Sequence, residues 1–119
     1  MKSSDNEYCE PSLLLDMVGG DREIFLQLTG IFMRDSTEQF AKITLALAQG
    51  NLQELGFHSH ALKGTVGPLG AELLLAMLIR IEEDCKRQEC EFATRTVPEI
   101  GRYLEGMREE VTRFIGQNL

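Results

Sequence analysis

Apolar residues recur along this chain at intervals of three and four, and no stretch alternates apolar and polar positions one by one. That spacing follows helix faces, at about 100° per residue, and predicts an all-α protein. Pro11 opens a short helix over about Leu13 to Val18, which Gly19-Gly20 ends. Asp21 then suits the N-cap of a long second helix. Its apolar positions, Ile24, Phe25, Leu28, Ile31, Phe32, Phe40, Ile43 and Leu47, keep largely to helical spacing, and Gln49-Gly50-Asn51 stops it. A third helix runs from about Leu52 to Gly67. Pro68 lacks a backbone donor and Gly70 suits a C-terminal turn, so these two mark its end. The fourth, about Ala71 to Gln88, turns Leu74, Leu75, Leu78 and Ile81 inward. The fifth, about Phe92 to Gln117, carries Ile100, Leu104, Met107, Val111 and Phe114, with Pro98 expected in its first turn or at a kink. Long helices with short connections predict an antiparallel four-helix bundle with a short extra N-terminal helix. Residues 1–10 read as a flexible, frayed lead-in and 11–119 as one domain.

Composition narrows the function classes. The chain has 119 residues, 43% hydrophobic and 26% charged, enough for one domain with a real core. Its net charge of −7 argues against nucleic acid and against an anionic membrane surface. No apolar run reaches the length of a membrane span, and Met1 to Glu10 is polar without a secretory apolar stretch. A cytoplasmic protein is the expectation. Cys9, Cys85 and Cys90 are odd in number and fit no zinc spacing, so they read as reduced, structural thiols. Cys85 and Cys90, five apart on a predicted helix, are not expected to face each other. No Gly-rich nucleotide loop or kinase-type ATP motif is visible.

The chemistry concentrates in His60-Ala61-Leu62-Lys63-Gly64, with Gly67, Leu69, Gly70 and Ala71 close behind. On a helix, Lys63 at i+3, Gly64 at i+4 and Gly67 at i+7 share the face of His60. Glycine costs roughly 1 kcal/mol against alanine inside a helix, so two on one face suggest close approach by another molecule. Leu55, Leu62 and Leu69 fall opposite, which turns His60 toward solvent. An exposed, unprotonated imidazole can itself attack phosphorus, and Lys63 can meet the phosphoryl group as a point charge. An ordinary surface histidine is the plain alternative, which the neighbouring lysine and glycines disfavour. His58 lies on the apolar side, about 160° away, and reads as a buried or partly buried structural histidine. The two histidines, at i and i+2, do not form a metal site.

His60-Ala61-Leu62-Lys63-Gly64-Thr65, followed by Leu69-Gly70-Ala71, resembles the motif of histidine-containing phosphotransfer (HPt) domains of two-component phosphorelays. Val18-Gly19-Gly20-Asp21 resembles the family's first interhelical turn, Phe32 its second-helix aromatic, and Ile81-Glu82 the pair on the helix after the site. The resemblance spans about residues 12–115. It implies that His60 takes a phosphoryl group through Nε2 from a receiver-domain aspartate or a kinase, then passes it to another receiver. It further implies that Gly64 gives the receiver access, that Glu82 accepts a hydrogen bond from Nδ1–H, and that Lys86 adds positive charge near the phosphate. Mg²⁺ would come with the partner's acidic pocket, and the chain would be a monomeric phosphocarrier rather than an enzyme, with no metal of its own. His58, Ser59 and Pro68 depart from the family's usual residues, and the surroundings of Met17 do not align with it. The competing readings are a substrate of a dedicated chemotaxis-type kinase, a helical adaptor that carries no phosphate, and a metal-binding bundle.

Overall fold

The computed structural model describes residues 6–119. Five α-helices appear in order: α1 (Pro11–Met17), α2 (Arg22–Ala48), α3 (Leu52–Val66), α4 (Glu72–Lys86) and α5 (Glu91–Asn118). A single 3₁₀ turn, Gly67–Leu69, follows α3. The bundle closes as a ring in which α2 packs on α3 and α5, and α4 packs on the same two helices. The short α1 covers one end, against the 3₁₀ turn. At about 1.5 Å per residue, the 27 residues of α2 span about 40 Å. That accounts for most of the 44 Å long dimension of the molecule.

Local chemistry sets the helix ends. The Asp21 carboxylate accepts from the Ile24 N–H at 3.0 Å, and the Asn51 side chain from the Glu54 N–H at 3.1 Å. Each satisfies an N–H that the first turn leaves without a partner. After α3, Pro68 tightens the chain into the 3₁₀ turn and Gly70 reverses it at φ +69°. A Cβ on Gly70 would stand 2.7 Å from Leu13 Cδ1, so the same glycine lets α1 pack closely. At the far end of α4, Gln88 takes φ +61° and the Glu89 N–H reaches the Asp84 carbonyl at 2.8 Å.

The core draws on all four long helices: Phe25, Phe32 and Ile43 from α2, Leu55 and Leu62 from α3, Leu74, Leu78 and Ile81 from α4, and Ile100, Leu104, Met107 and Val111 from α5. Three apolar residues of the α2 stripe stay exposed. Ile24, Leu28 and Ile31 are 43%, 37% and 41% exposed. The apolar stripe of α2 is wider than the face its neighbours cover, and period alone does not separate the two. Of the two places expected for Pro98, the first turn is excluded: it stands eight residues into α5, and the helix continues through it. Cys90 caps α5 rather than sharing a helix with Cys85.

The lead-in ends earlier than expected. Residues 1–5 lie outside the described residues, but Glu7 to Glu10 are held by hydrogen bonds. The buried carboxylate of Glu110 on α5 accepts backbone N–H groups from Glu7 at 2.6 Å, Tyr8 at 3.1 Å and Cys9 at 3.0 Å. The Glu10 N–H donates to the Leu69 carbonyl at 2.6 Å. Tyr8 lays its ring over Gly106 and meets Tyr103 edge-on, with centroids 4.9 Å apart. No apolar periodicity announces such a strap, because one charged residue more than a hundred positions away holds it. Among the described residues no helix is long and apolar enough to cross a membrane.

Candidate functional site

α3 carries His60 outward because Leu55, Leu62 and Val66, all fully buried, anchor the opposite side. The imidazole is 70% exposed. Across the groove, Ile81 plants α4 in the core and brings Glu82 beside it. Glu82 Oε2 lies 3.0 Å from His60 Nδ1, and Oε1 lies 2.7 Å from Lys63 Nζ. One carboxylate thus bridges the histidine and the lysine. An ionised carboxylate only accepts hydrogen bonds, so Nδ1 carries the proton and the lone pair of the neutral ring sits on Nε2. Burial works to raise the Glu82 carboxyl, but hydrogen bonds from Lys63 and His60, with their positive charge, outweigh it. The group is held below its ordinary value of 4.5.

The other expected site residues divide. Lys63 does not stand free beside the imidazole; it is paired to Glu82. Lys86 is exposed on the rim of the groove that also holds His60 and Glu82. Gly64 is exposed, and a Cβ there would meet nothing within 4 Å. Gly67 is not open in that way. It is partly buried, and a Cβ on it would lie 3.9 Å from Leu75 of α4.

Two groove residues were absent from the sequence expectations. Gly56, at i−4 from His60, faces α4 so closely that a Cβ would lie 3.5 Å from that of Cys85. Its spacing was legible: Gly56 and Gly64 clear one turn on each side of His60. Phe57, 66% exposed, forms part of the same rim, and no core-seeking pattern selects an apolar residue that stays out of the core. The Cys85 thiol is pushed up by burial first and by the Asp84 charge second, so it stays protonated and does not compete as a nucleophile.

His58 is partly buried, with Nε2 3.1 Å from Glu54 Oε2 and its ring edge-on to Phe57 at 5.1 Å. Ser59 is fully buried, and among the described residues its hydroxyl has no hydrogen-bond partner. Ser59→Ala is therefore expected to raise stability by about 1 kcal/mol, read as a higher urea midpoint at unchanged slope. Among the described residues no group of three or more His, Cys, Asp or Glu side chains is placed to hold a metal ion.

A helical bundle that presents one exposed histidine, its Nδ1 held by a lysine-paired carboxylate and its flanks cleared by glycine, has the form of a histidine phosphotransfer domain. The family model of the Hpt domain matches residues 27–114, and the chain belongs to that family. The phosphorelay intermediate protein rdeA of Dictyostelium discoideum is 25% identical over 105 residues, which cover 88% of this chain. They cover 41% of that relative, so the chain spans less than half its length. The fold matches the crystal structure of histidine-containing phosphotransfer protein B (HptB) from Pseudomonas aeruginosa PAO1 with a TM-score of 0.85. That match covers 98% of this chain and all of the other, at 22% identity.

Proposed function

We propose that His60 is the phosphoryl acceptor, and that the chain relays the group between receiver-domain aspartates, or takes it from a histidine kinase. The observation that carries this reading is the Nδ1–Glu82 contact at 3.0 Å on an otherwise exposed ring. It leaves Nε2 as the nucleophile. In the forward step Nε2 attacks the phosphorus of an aspartyl phosphate, the N–P bond forms, and the aspartate leaves as its carboxylate. No proton departs from Nδ1, so the ring gains positive charge as the bond forms. The Glu82 carboxylate faces that charge. Lys63 holds Glu82 ionised and in place, while Lys86 on the rim meets the phosphoryl oxygens. Reversal toward a second receiver uses the same contacts.

The chain acts in this reading as a cytoplasmic, monomeric carrier without an ATP site, and the divalent cation belongs to the partner's acidic pocket. Docking falls on the apolar surface that the α2 core does not use. Met17, Leu28 and Ile31 line a hollow with Gly64, one turn from His60. Incubation with phosphorylated receiver domains followed by intact-mass analysis tests the proposal. One acid-labile phosphoryl group per chain is expected; no gain from any receiver would sink the receiver-to-receiver relay, and no gain from a histidine kinase either would sink the carrier reading.

Glu82→Gln keeps an acceptor for Nδ1 but removes the charge. Hydrogen bonds to charged groups contribute about 1.5–3 kcal/mol, so transfer is expected to slow by about ten- to a hundredfold in single-turnover assays. The stability effect has a definite sign. A carboxyl depressed in the fold stabilises above its unfolded value and loses that contribution as pH falls through the folded one. The stability gap between wild type and Glu82→Gln is therefore expected to shrink as pH drops below about 4.5 in urea titrations.

A further inference from the structure

We propose that Phe57 is an anchoring residue for the receiver domain, and that it helps set which receiver this protein serves. The inference rests on the phosphocarrier reading of His60 and extends it to a residue outside the chemistry. Phe57 lies three positions before His60, which on an α-helix is about 4.5 Å along the axis and about 60° around it. It is 66% exposed, whereas every other described phenylalanine and tyrosine is buried or partly buried. It separates two hollows. One contains His60, Gly56 and Lys86; the other contains Leu45, itself 57% exposed, and Lys42. Phe57 is therefore the apolar residue common to both hollows, with a lysine in each and the exposed Leu45 lining the second.

The occupant follows from what His60 requires. A partner must bring an aspartyl phosphate into contact with Nε2, and a specific protein interface covers about 800 Å² on each side. A footprint of that size, centred on His60, extends well beyond 4.5 Å along α3 and takes in Phe57. Gly64 removes a side chain that would hold a partner off. Exposed aromatics covered in this way commonly carry a large share of binding. The lysines in the flanking hollows complement the acidic pocket expected around a receiver's phospho-aspartate. The fold does not depend on the ring, whose only described ring contact is with the neighbouring His58.

Transfer rates from a panel of phosphorylated receivers, measured against receiver concentration for wild type, Phe57→Ala and Phe57→Leu, test this. Phe57→Ala is expected to reduce the low-concentration rate by about tenfold or more with its best receiver and to change the ranking of receivers. The loss should diminish toward saturation, since the anchor acts on docking, and leucine should restore part of it. Circular dichroism melts of both variants guard against unfolding. If wild type is labelled and Phe57→Ala is equally fast at low concentration with every receiver, the anchor is refuted while the carrier reading stands. If wild type accepts nothing from any receiver, the anchor is refuted together with the receiver-to-receiver relay it rests on.

Discussion

His60→Gln is expected to accept no phosphoryl group from any donor that labels the wild type, and to melt with an unchanged transition. The first half follows from chemistry. A glutamine amide has no nucleophilic lone pair of the imidazole kind, and the other histidine, His58, is partly buried and engaged by Glu54. The Cys85 thiol is kept protonated by burial and negative neighbours. Loss should therefore be complete rather than graded. The second half follows from exposure. With 70% of its side chain in solvent, His60 contributes little packing, and Lys63 keeps Glu82 paired when the imidazole is removed. Labelling at wild-type level in His60→Gln would overturn the assignment of the acceptor.

Glu110→Ala is expected to cost the most stability among single changes outside the apolar core, about 3 kcal/mol. Three backbone N–H groups, of Glu7, Tyr8 and Cys9, share that buried carboxylate, and hydrogen bonds to charged groups contribute about 1.5–3 kcal/mol each. The sum is not realised in full, because the released segment can hydrogen-bond to water. Gly106→Ala attacks the same strap from the other side. A Cβ there would lie 2.3 Å from the Tyr8 ring, which the neighbouring backbone bonds keep from moving aside. The two substitutions undo one docking event, so the double variant should lose clearly less than the sum of the singles. Urea denaturation gives the energies, and hydrogen exchange at the Glu7 to Cys9 amides gives the locus. Continued protection of those amides in Glu110→Ala would show that the strap is held by something else.

The sequence carried the helices well and their surroundings less well. Asp21, Asn51, Pro68 and Gly70 act locally, through caps and turns that need no tertiary partner, and the boundaries they mark agree with the structure to within one or two residues. Burial along α2 was less legible. Ile24, Leu28 and Ile31 satisfy the helical period as well as Phe25 and Phe32 do, yet only contact with α3 and α5 decides which of them is covered. At the site, His60 and its exposure were readable from one helical wheel. The role of Lys63 was not, because the side chain that captures it, Glu82, comes from another helix. Gly67 was placed on the open face by the same wheel, but α4 and Leu75 close over it. The Glu110 strap lay beyond any local pattern, since its donors sit at the opposite end of the chain.

The central claim is that Nε2 of His60 forms the bond to phosphorus while Nδ1 keeps its proton against Glu82. The most direct test is ¹⁵N and ³¹P NMR of the wild-type protein labelled by a phospho-receiver, reading the imidazole nitrogens of His60. A phosphorus coupling at Nε2 with a protonated Nδ1 is the predicted result. Phosphorus on Nδ1, on His58 or on a carboxylate, with the His60 ring unchanged, would contradict it.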